Sequence, residues 1–72
     1  MPNTLQEQLE RVEREILLYL EFDEIEKARF DRESYLWTAE DRIEWQEIQI
    51  GNAEQLRRLL REREALRRNL SP

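Results

Sequence analysis

From Leu5 onward, apolar side chains recur at Leu5, Leu9, Val12, Ile16 and Tyr19, a spacing of 4, 3, 4 and 3. Residues three and four apart sit one turn from each other, so this spacing predicts a helix with a single apolar stripe. Asn3 or Thr4 can cap it. Opposite charges one turn apart, Glu7 with Arg11, Glu10 with Arg14, Asp23 with Lys27 and Arg29 with Glu33, mark its solvated flanks and carry the helix over 5–33. Around Leu17, Leu18, Leu20 and Phe22 the stripe broadens, then moves to Phe22, Ile25 and Arg29. A face that wide is contacted from more than one side.

The next signal is Thr38-Ala-Glu-Asp41, a Ser/Thr-x-x-acid start in which the Thr38 hydroxyl accepts an orphan backbone N–H and the acids suit the positive helix end. It predicts a turn over 34–38 and a second helix from Ala39. Along that helix Trp45, Ile48, Asn52, Leu56, Leu59, Arg63, Leu66 and Leu70 keep near-heptad spacing. Gly51-Asn52 leaves two readings open. Either Gly51 ends a helix over 39–50 and Asn52 caps another over 52–69, or one helix runs through with a kink. Ile43, Trp45, Ile48 and Ile50 also alternate as a strand would, but a lone two-stranded pair amid helix formers is marginal. The expectation is a single all-α domain over residues 1–72. It is an antiparallel helical hairpin, of three helices if Gly51 breaks the second arm, that assembles into a helical bundle.

The hairpin seam falls to Leu9, Val12, Ile16, Trp45, Leu56, Leu59 and Leu66. A second set has no obvious place in that seam: Leu17, Leu18, Leu20, Ala53 and Leu60, together with Ile43 and Ile50. From this surplus and the aromatics near the turn, Phe22, Phe30, Tyr35, Trp37, Ile43 and Ile50 are expected to form a self-association or partner surface. Trp37 is the leading partner contact, set against local packing over the hairpin end.

Composition narrows the chemistry. The 72 residues include no cysteine and no histidine, which excludes disulfides, thiolate sites, imidazole ligands and imidazole bases. No metal, cofactor or catalytic residue is expected. A chain this short buries little apolar surface, so without such staples the stability is expected to come from idealised packing or from homo-oligomerisation. Charged residues at 40% beside apolar ones at 39% match long helices better than a disordered acidic chain. The longest apolar run, Ile16 to Leu20, is too short to cross a bilayer, and a soluble, cytoplasmic protein without membrane contact is the expectation.

Charge separates along the chain. Residues 1–50 carry 14 acidic and 6 basic side chains, whereas residues 51–72 carry 3 acidic and 6 basic. The arginines Arg57, Arg58, Arg61, Arg63, Arg67 and Arg68 could touch nucleic acid, but the overall charge of -5 repels phosphate. Helix pairs such as Glu54 with Arg58 and Glu64 with Arg68 account for them without a nucleic-acid partner.

Two acidic pairs at helix spacing, Glu21 with Glu24 and Glu44 with Glu47, could converge on magnesium. At these four positions the chain resembles the all-α nucleotide pyrophosphohydrolases, whose pairs read E-x-x-E and E-x-x-D; here the second pair ends in Glu47. The resemblance implies metal-dependent phosphoester chemistry. The absence of any glycine-rich phosphate loop and of any base besides carboxylates weighs against an enzyme. The functional expectation is therefore a non-enzymatic, homo-oligomeric module that binds a protein partner as adaptor, co-chaperone or regulator. The rival is an acidic inhibitor whose face of Glu21, Asp23, Glu24, Glu26, Glu40, Asp41, Glu44 and Glu47 imitates nucleic-acid phosphate in a basic groove.

Overall fold

The structure, a computed structural model, describes residues 4–71, so the possible cap Asn3 lies outside the described residues. Two helices fold back on each other: α1, Leu5–Glu33, and α2, Ala39–Leu70, joined by a single 3₁₀ turn over Ser34–Leu36. The fold is an all-α helical hairpin, 52 Å long and 23 by 16 Å across. Among the described residues there is no strand, and Ile43 to Ile50 lie within α2. Among the described residues no helix is long and apolar enough to cross a membrane.

Local chemistry sets the ends. The Thr4 hydroxyl accepts from the Glu7 amide at the start of α1. At the start of α2 the capping box is complete: Asp41 N donates to Thr38 Oγ1 and Thr38 N donates to Asp41 Oδ2, each at 3.1 Å. Two orphan donors are thereby satisfied in one exchange. The reversal is tied down by Trp37 N donating to the Ser34 carbonyl at 3.1 Å and by the Arg42 guanidinium donating to the same oxygen at 2.9 Å.

Gly51 neither breaks nor ends a helix. α2 runs through it with no positive φ, because the inward line Trp45, Asn52, Leu59 and Leu66 keeps its seven-residue period across the glycine and holds the helix against α1. A glycine inside a helix still costs about 1 kcal/mol relative to alanine.

The contact between the helices has three zones. Towards the open end lies the apolar core of Val12, Ile16, Leu59 and Leu66, flanked by Leu9, Tyr19, Leu56 and Leu60. The interhelical pair of Arg67 and Glu13, 3.2 Å apart, closes its rim. Towards the turn lies a cluster of Phe30, Trp37 and Trp45. Between them the inward positions are polar: Asp23, Gln49 and Asn52 are half-buried and line a groove of about 310 Å³ with Tyr19, Ala53 and Leu56. Gln49 Nε2 is buried there without a hydrogen-bond partner.

An unmet buried donor lowers stability, whereas a thioether of similar shape has nothing to satisfy. Gln49→Met should raise the unfolding free energy by about 1 kcal/mol, read from urea denaturation of the two chains side by side. A loss of stability would show that the amide is satisfied in solution.

Candidate functional site

The aromatic cluster is assembled by phase and by the turn. Phe30 continues the 4-and-3 spacing of α1 through Tyr19, Asp23 and Glu26, so it faces α2. The 3₁₀ turn carries Trp37 back over it. Phe30 and Trp37 meet edge to face with ring centroids 5.7 Å apart, Phe30 and Trp45 lie 4.6 Å apart, and the two indoles 6.2 Å. The Arg29 guanidinium stacks 5.3 Å from the Trp37 ring. Glu26 holds the other side: it accepts from Trp45 Nε1 at 3.0 Å and pairs with Arg29 at 3.4 Å. Arg29 therefore turns back to Glu26, which faces inward beside the Trp45 indole, and not forward to Glu33.

Phe30 and Trp37 are half-buried where they pack with Trp45, which is the local packing over the hairpin end set against a partner contact for Trp37. The arrangement corrects one expectation: the apolar stripe of α1 does not move to Phe22 and Ile25, since both are exposed while Asp23, Glu26 and Phe30 take the inward line. Trp45 joins the aromatic cluster, and the other seam residues lie in the open-end core or pack on its edge. Ile48, near the seam by spacing, is also exposed.

What remains outward is extensive. Leu18, Phe22 and Ile25 share a stripe on one flank of α1, at steps of four and three. Leu18 and Phe22 border a shallow apolar groove of about 390 Å³ with Tyr19 and Asn52. Ile43 and Ile50, also exposed, each stand two residues behind an inward residue, Trp45 or Asn52 in order; two steps of about 100° turn them to the back of α2. Tyr35 projects at the turn with 75% of its surface exposed. The six expected interface residues thus do not form one patch: Phe30 and Trp37 are half-buried in the aromatic cluster, Phe22 lies on a flank, Ile43 and Ile50 behind, Tyr35 at the tip.

The acidic side chains are similarly divided. Glu21, Glu24, Glu40, Glu44 and Glu47 are exposed, whereas Asp23 is paired with Lys27 at 2.9 Å, Glu26 with Arg29 and Trp45, and Asp41 with the Thr38 backbone. The Asp23 hydrogen bond, and then its charge, hold the Lys27 ammonium above its ordinary value. Among the described residues no group of three or more acids converges as a metal ion would need, so the two Glu pairs do not form the centre their resemblance implies. Comparisons with protein-family models, curated proteins and solved structures found no match.

The cluster geometry makes Trp37 a structural anchor. Trp37→Ala should lower the unfolding free energy by about 2 kcal/mol, less than full burial would give because the side chain is only half-buried. A change near zero in chemical denaturation would return Trp37 to the set of free contacts.

Proposed function

We propose that this chain is a non-catalytic protein-interaction module that works as a homo-oligomer of helical hairpins. One observation carries the reading. Four apolar side chains are buried, while twelve large ones among the described residues are exposed. The accessible surface is 5971 Å². A compact monomer of 8.9 kDa presents about 4,800 Å², so each copy carries a surplus of about 1,200 Å². A standard interface removes about 800 Å² from each partner, which is within that surplus. Burying exposed leucine, isoleucine and phenylalanine supplies a driving force in proportion to area.

The acidic-inhibitor reading has less support. Three of its eight carboxylates are engaged within the hairpin, and the other five, all exposed, are divided between two helices.

Sedimentation equilibrium at high micromolar concentration should give a mass of at least two chains. A single-chain mass at every concentration would contradict the proposal.

A further inference from the structure

Three observations converge on one flank of the hairpin. The first is its apolar face. Arg29, seven residues after Phe22 on the same α1 stripe, shares a groove with Ile48 of α2. This places Ile48 on the side that carries Leu18, Phe22 and Ile25; Gly51, one turn further on, lies at the edge of that face, where it lines a groove with Gln55, Arg58 and Arg61. The second is Gly51 itself. It sits inside a continuous helix, takes no positive φ, and a Cβ added to it would meet nothing within 4 Å. Nothing inside the hairpin needs the space that this glycine leaves. A second helix crossing there would, because small residues let two backbones approach.

The third is charge. The turn half of the hairpin, residues 20–50, carries 10 acidic and 4 basic side chains, a net of -6. The open half, residues 4–19 with 51–71, carries 7 acidic and 8 basic, a net of +1. Two copies laid side by side in the same direction set -6 against -6. Two copies laid head to tail set each acidic turn half beside an open half bearing Arg58 and Arg61. Like charges facing each other across an interface are unfavourable, so the charge pattern selects the second arrangement.

We infer that a second copy of the chain docks on the face of Leu18, Phe22, Ile25, Ile48 and Gly51, antiparallel to the first, with α2 crossing its counterpart at Gly51. The pairing is isologous and gives a four-helix bundle with a two-fold axis near mid-hairpin. This inference rests on the self-assembly proposed above and adds its face, its direction and its crossing point.

The absence of cysteine permits a clean test of direction. A spin label on Tyr35→Cys marks the tip of each hairpin. In the antiparallel pair the tips point apart, and the rise of about 15 residues from the axis to the tip, counted twice, puts the labels about 45 Å apart by double electron–electron resonance. In a parallel pair they fall within the 23 Å breadth of the hairpin. A long distance supports the inference. A short one overturns it while leaving self-assembly intact, and a single-chain mass with no dipolar coupling overturns both.

Gly51→Ala tests the crossing point. Alanine favours the isolated helix, so a merely structural role predicts a more helical chain with unchanged or tighter association. A methyl group at the crossing instead weakens the dimer by about tenfold in dissociation constant, although helicity is kept. Unchanged or tighter association of Gly51→Ala would remove Gly51 from the interface.

Discussion

A helix that meets only one neighbour can hide only one stripe of its surface. In this hairpin each helix has one neighbour, so burial ends at a line of residues: Val12 and Ile16 on α1, Leu59 and Leu66 on α2. Side chains outside that line are left to water whatever their chemistry. Leu18, Phe22 and Ile25 are exposed for this geometric reason, not because the helices pack badly. The proposed assembly follows from the same limit, since a second hairpin gives each helix the further neighbour it lacks.

The polar middle sharpens the point. Fastening is strongest at the two ends, by aliphatic packing near the termini of the hairpin and by the Phe30, Trp37 and Trp45 cluster near the turn. Asp23, Gln49 and Asn52 separate these zones and contribute little apolar burial. Polar residues at inward positions of helical bundles can specify register and partner number at a cost in stability. Here they lie at the level where Leu18, Phe22 and Gly51 face outward, so in the proposed pairing the second copy braces the hairpin where it is weakest.

Much of the fold is legible in the residues. The 4-and-3 spacing from Leu5 and the Thr38-to-Asp41 box lead directly to the two helices and the turn, because both depend on local geometry. The aromatic cluster is harder to see. Asp23 and Glu26 occupy inward positions and interrupt the apolar pattern, which hides that Phe30 is still in phase. The return of Trp37 depends on the 3₁₀ turn, whose path no periodicity encodes. Gly51 is ambiguous for a different reason: its propensity to end a helix and the heptad line across it give opposite answers, and packing along the line prevails. The candidate surface is the least legible part, since exposure depends on the phase difference between helices and the tip, flank and back positions look alike as apolar letters.

The central claim is that hairpin folding and hairpin association are coupled through the uncovered apolar face. It is tested most directly by following the thermal midpoint, by circular dichroism, over a hundredfold range of protein concentration. Coupled folding and association predicts a midpoint that climbs steadily with concentration. A midpoint that stays constant over the whole range would mean that one copy is sufficient, and would contradict the account.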